Sequence, residues 1–312
     1  MGVFLAALFA VAILLLTASS GFIFLKTKVF REEAIPIFSK LLLFVCQSSL
    51  VIYTFSSTPF SADMLKSLGL FMLGAIAIHA VMLLGAFLIL RKKYDNVFAR
   101  IATISVTFAN SAFFGIPIIE AVMGEGASEL IIYTTVYALV MNLLGWTAGS
   151  AIISKSRKYI SVKKLFINPY MVSFIIALPL FIFSPELPAQ LENMIMILGK
   201  ATTPLSMIII GMRLATSEAK AVFGNIKIYL TALVKLTVMP LVAFAIIYFF
   251  PLSTEAKQVF YIICACPTAS IVLNFSELIG EGQKDAAATV LLSTILSIAT
   301  LPLMMLLLPL LA

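Results

Sequence analysis

Charge is what this sequence is short of. Asp, Glu, Lys and Arg make up only 11% of its 312 residues, whereas 62% are hydrophobic. A soluble domain carries roughly 25% charged residues, and one core could not hide this much apolar surface, so a water-soluble protein is excluded. Histidine occurs once, at His79, and cysteine three times, at Cys46, Cys264 and Cys266, all within apolar runs. That set supplies neither a disulfide framework nor the ligands of a metal site. P-loop, nucleophile-elbow and HExxH patterns are missing as well. ATP-driven pumping and hydrolysis therefore have no sequence basis, and neither enzyme activity nor a cofactor is expected.

What is abundant is apolar length. Ten runs approach the ~20 residues that cross a bilayer, at 3–25, 34–56, 66–90, 97–121, 129–153, 166–184, 192–213, 225–250, 257–279 and 286–310. The fold class expected is an all-α integral membrane protein. Little chain is left between the spans for a soluble domain. The first span lacks a preceding basic residue and is followed by Lys26, Lys28 and Arg31, which suits a retained helix rather than a cleaved signal. Sixteen of the 21 Lys and Arg lie in loops on one side, around residues 26–31, 91–100, 155–164, 213–227 and 284, against only Lys66 and Lys257 on the other. That asymmetry marks the cytoplasmic side and places both termini outside. The net charge of +7 then describes a face beside anionic lipid, not a nucleic-acid surface.

Two of the spans are punctuated alike. The fourth reads "FANSAFFGIPIIEAVMGEG" and the ninth "ACPTASIVLNFSELIGEG". Each has a small polar break, then one glutamate (Glu120, Glu277), then Gly-Glu-Gly. Asn110 and Pro267 are 157 residues apart and the two triplets 156, half the chain length. Gln47-Ser48-Ser49 of span two falls opposite Thr203-Pro204 of span seven at the same offset. A five-span unit crosses an odd number of times, so its second copy enters from the other side. The expectation is an inverted repeat, 1–155 and 156–312. A break also exposes a half-helix N-terminus, which stabilises an anion by ~0.3–1 kcal/mol, or ~2 when partly buried. One such interruption alone reads as a kink; a pair at matching positions points to a substrate site at membrane depth.

These stretches, with "NPYMVSFIIALPL", "LGKATTPLSMIIIGMRLA" and "ATVLLSTILSIATLPL", resemble the auxin efflux carrier family, which includes bacterial organic-anion permeases and the plant auxin carriers. Bile-acid/sodium symporters are related in fold. The resemblance implies ten helices in two inverted five-helix repeats, with helices four and nine crossing as broken elements. It implies a scaffold from spans 1, 2, 6 and 7, a transport domain from spans 3–5 and 8–10, an elevator movement, a homodimer and carboxylated organic anions as cargo. Asn110 and Pro117 match the first crossover and Pro267 the second; Tyr137 resembles a pocket-lining position. Ala109 and Ser48 depart from prolines common in the family, and the long cytoplasmic loop of many plant members is replaced by about a dozen residues around Lys155–Lys164.

The site expected is therefore Asn110 and Ser111 with the backbone from Gly115 to Pro117 on one side. Thr268, Ser270 and Asn274 after Pro267 form the other side. Gln47, Ser48, Thr203 and Tyr137 contribute from the rim, and Pro117, Pro204 and Pro267 shape the backbone. Lys235, inside span eight, reads either as a charge-balancing or tethering cation or as a snorkelling side chain. Glu120 and Glu277 read as H⁺ or Na⁺ coupling groups or as residues facing watery vestibules. His79 reads as a titrating group or as an ordinary interhelical hydrogen-bonding residue. Lys200 and Arg213 look like interfacial anchors, and Gly145-x-x-x-Gly149 like close helix packing. The function expected is a secondary carrier of small carboxylate-bearing anions. The alternatives are a Na⁺-coupled bile-acid-type symporter and an anion-binding membrane sensor without transport.

Overall fold

A computed structural model describes residues 2–124, 126–156 and 166–311. Arg157, Lys158, Lys163 and Lys164 of the central basic loop, and Glu125 of the first Gly-Glu-Gly triplet, lie outside the described residues. Among those described, every regular element is helical. The principal ones, in chain order, are α1 (Gly2–Lys26), α2 (Ala34–Ser56), α3 (Ala62–Lys93), α4 (Val97–Ser105), α5 (Ser111–Met123) and α6 (Glu129–Ser154). After the central loop come α7 (Pro169–Phe183), α8 (Ala189–Thr216), α9 (Ile226–Tyr248), α10 (Thr254–Ala265), α11 (Ile271–Ile279) and α12 (Gln283–Met305). Seven of them, α1, α2, α3, α6, α8, α9 and α12, are long and apolar enough to cross a bilayer.

Caps explain where the observed ends depart from the apolar runs. α3 starts at Ala62 rather than 66 because the Ser61 side chain accepts from the Met64 N–H at 3.0 Å. α10 starts at Thr254 rather than 257 because Ser253 does the same for Ala256. α7 opens with Pro169 in its first turn, after Asn168 has accepted from the Tyr170 N–H. Each cap satisfies one of the four N–H groups that a helix leaves free at its start. The spans expected at 97–121 and 257–279 are both divided, as α4/α5 and α10/α11, with non-helical backbone between the parts.

The helices pack in two groups, which meet where α1 lies against α12 and α5. α1 lies against α8, and α2 against α7 and α8. The α1–α8 contact is made backbone to backbone. A Cβ on Gly211 would stand 1.7 Å from the Ala18 carbonyl oxygen, and one on Gly21 would stand 2.0 Å from that of Ile208. In the second group α3 packs on α6 and α9, α9 on α10 and α12, and α10 on α6. Its seams are aromatic: Phe71 meets Tyr133 and Phe260, and Phe244 meets Tyr261. Gly145 and Gly149 sit in a widened turn of α6 and make room for the rings of Phe275 and Phe108. Gly-x-x-x-Gly here serves packing inside the chain.

Gly211→Ala is expected to destabilise the protein by about 1–3 kcal/mol or more, since nothing flexible can yield to the new methyl. Gly85→Ala, with open space around it, is expected to be neutral or stabilising. Thermal unfolding of both variants in detergent checks this, and equal midpoints would remove the argument for backbone contact.

Candidate functional site

The site is built where the two broken spans cross. Pro267 has no N–H to continue α10, and Cys266 before it is extended, at φ −65° and ψ 156°, as a residue preceding proline prefers. The chain from Phe108 to Asn110 runs antiparallel to it. The Asn110 N–H donates to the Pro267 carbonyl at 2.8 Å, and the Ala269 N–H to that of Phe108 at 2.9 Å, with Ala109 opposite Thr268. Thr268 closes the remaining gaps: its N–H donates to Ser293 Oγ and its hydroxyl to the Ser105 carbonyl, both at 3.1 Å.

Lys235 completes the repair. It projects from a widened turn of α9, is 0% exposed, and donates Nζ–H to the carbonyls of Cys264 at 2.9 Å and Cys266 at 2.7 Å. A cation at the C-terminal end of a helix is well placed in its dipole field. Burial excludes the snorkelling reading. His79 lies in α3, buried, and its Nδ1–H donates to the Ala75 carbonyl at 2.6 Å. Its ring packs 4.9 Å from that of Tyr137 and 5.7 Å from that of Phe108. The Tyr137 hydroxyl is 3.7 Å from Cys264 Sγ. Thr268, Tyr137, His79 and Lys235 thus stand behind the crossing and hold it.

In front of the crossing is a cavity of about 580 Å³, within the usual size of small-molecule sites. The first residues of α5 and of α11 face it from opposite sides, bringing Asn110 and Ser111 together with Ser270 and Asn274; Gln47 of α2 lies on its wall. Five of the expected residues therefore converge. Gly115 instead rests against Cys266, Ser48 bonds back to the Leu43 carbonyl, and Thr203 lies outside the lining. Asn142, Trp146, Asn168 and Tyr170 complete the polar wall without having been foreseen. Asn142, a lone amide within an apolar run, carried the available signal.

Among the described residues, no charged side chain lines this cavity. Asn110 Nδ2, Ser111 Oγ and Trp146 Nε1 are buried without a partner among the described residues. Buried donors are nearly always paired, and all three of these belong to residues that line this cavity. A small extension of about 50 Å³ shares Ser270 and Asn274 and reaches Arg213. Arg213 is held by Glu277 at 2.9 Å, so it is more than an interfacial anchor. Glu120 is exposed and has no ion pair within 4.0 Å among the described residues.

The sequence signature of a family described as membrane transport protein matches residues 6–164 and 159–305 of this chain. No curated protein matches it.

Lys235→Met should cost several kcal/mol, because two buried carbonyls lose their partner at about 1–3 kcal/mol each. Asn110→Ala should leave stability nearly unchanged, since its amide has no partner to lose. Thermal unfolding of the two purified variants gives the ranking; the reverse order would contradict these roles.

Proposed function

Because the chain belongs to the membrane transport protein family, whose signature covers nearly its whole length, we propose that it is a secondary carrier of small carboxylate-bearing organic anions. The observation that carries the reading is a cavity with no charged side chain among its described lining residues, three of which, Asn110, Ser111 and Trp146, hold a polar atom (Nδ2, Oγ, Nε1) that lacks a partner among the described residues. Two half-helix N-termini add their positive dipole ends at the same place. A carboxylate accepts several such bonds, and each bond to a charged group is worth about 1.5–3 kcal/mol. Phe44, Phe113 and Met141 on the wall suit an apolar body attached to the acid.

The transport movement we propose is an elevator. α1, α2, α7 and α8 form the static scaffold, and α3–α6 with α9–α12 carry the site. In support, both breaks and their fastening residues belong to the second group. We read the chain as ten spans in two inverted repeats, 1–155 and 156–312, with both termini outside and a homodimer through the scaffold. Further offsets support this reading: His79 and Lys235 are 156 residues apart, as are their neighbours Phe108 and Cys264. The widened turn at Leu42–Cys46 and the interruption of α8 at Ala201 correspond as well. Na⁺ coupling is disfavoured, since unwound carbonyls of the kind that coordinate Na⁺ are here taken by the Lys235 ammonium.

The test is charge movement in proteoliposomes on a solid-supported membrane. Mono- and dicarboxylates, indole-3-acetate and malate among them, are applied with and without Na⁺ and a pH gradient. Saturable currents independent of Na⁺ are expected for one class of anion. Asn110→Ala should raise the half-saturating concentration about ten-fold or more, as loss of one charged hydrogen bond requires. Binding detected by thermal shift without flux would replace the carrier with a sensor. Currents that require Na⁺ would restore the symporter reading.

A further inference from the structure

A second cavity, of about 390 Å³, shares no lining residue with the first and lies between α3, α4 and α9. Its walls are mostly apolar, from Ala86 on α3 to Ala102 on α4, Val106 just after it and Val234 on α9. Its flank is open toward lipid, where Ile89 is 82% and Leu230 56% exposed. Along α9 it runs from Lys227 to Val234, seven residues or about 10 Å of helix. That is a large part of the ~15 Å that half a hydrocarbon core provides.

The mouth is of opposite character. Lys93 and Lys227 stand on it, with Arg91 and Lys92 exposed beside them. Neither lysine has an ion pair within 4.0 Å among the described residues, while the nearby Asp95 is taken by Lys155. Asp285, whose charge Lys227 feels, is likewise not in contact with it. Two helices begin here: Asn96 caps α4 and Asn225 caps α9, each accepting from an N–H of the first turn. Their positive dipole ends add to the lysines at one spot.

We propose that this groove binds an anionic phospholipid of the cytoplasmic leaflet, one acyl chain lying between α3, α4 and α9 and the phosphate between Lys93 and Lys227. An apolar slot open to the bilayer suits the chain and not a soluble anion. The paired cations suit the phosphate and not a zwitterion, and anionic lipid is enriched on the side that positive loops mark. Because Val106 lines the slot and Phe108 two residues on makes the crossing bond, the lipid would brace the base of the first broken span.

The experiment is native mass spectrometry of the detergent-purified full chain. It is given equal amounts of phosphatidylglycerol and phosphatidylcholine with identical acyl chains, and separately glycerol 3-phosphate. Phosphatidylglycerol should be retained preferentially. Each lysine near a surface contributes about five-fold to anionic binding, so Lys93→Gln with Lys227→Gln should reduce that preference on the order of thirty-fold. Both positions are exposed, and the double variant should unfold at the wild-type temperature. Ala86→Phe, which fills the slot, should weaken both lipids alike. Equal retention of the two lipids by the wild type would overturn the proposal, as would a preference that survives the double variant. Glycerol 3-phosphate binding as tightly as the lipid would overturn it too, by showing a site for a free anion.

Discussion

Everything in this molecule depends on two main-chain hydrogen bonds, Asn110 to Pro267 and Ala269 to Phe108. A helix interrupted at membrane depth strips N–H and C=O groups of partners where no water can replace them, at several kcal/mol for each group. Here each interruption supplies what the other lacks. The residue left opposite Ala109, Thr268, spends both its N–H and its hydroxyl on the same repair, and Lys235 closes the carbonyl end of α10. Neither break would be tolerable alone. Their pairing in the sequence is thus a condition of folding before it is a condition of function.

This interdependence explains what could be read in advance. Pro, Asn and Ser stand out sharply from apolar runs, so both breaks and the residues on them were visible, and Asn110, Ser111, Ser270, Asn274 and Gln47 do converge. The residues that were missed belong to helices that are apolar nearly all round. An amphipathic helix announces which face turns inward; α6 and α7 carry no such phase, so Asn142, Trp146 and Tyr170 could not be aimed from sequence. Tyr137 illustrates the same gap in reverse, since it points behind the crossing while Ala138 and Met141 of the same helix line the cavity. Lys235 was conspicuous, but its partners are carbonyl oxygens, which leave no trace in residue identity.

The distribution of charge around the crossing also bears on release. The one ammonium buried among the described residues is committed to the backbone outside the cavity, whose described lining is neutral. A guest held by dipoles and amides forms no ion pair with a desolvated side chain, which would be costly to break. In the proposed carrier, such binding is of a kind that a transport cycle can reverse. Arg213, at the edge of a small extension, is already occupied by Glu277.

The close approach of α1 and α8 has a consequence for how this sequence can change. At most buried positions a larger residue can be accommodated by trimming a neighbour, so two substitutions together succeed where one fails. Gly21 and Gly211 face carbonyl oxygens of the opposing main chain, and no substitution at any other position removes a carbonyl. These two sites have no compensating partner anywhere in the chain. The lipid-facing surface beside them can drift freely among apolar residues, while the contact itself stays frozen, one residue wide on each helix.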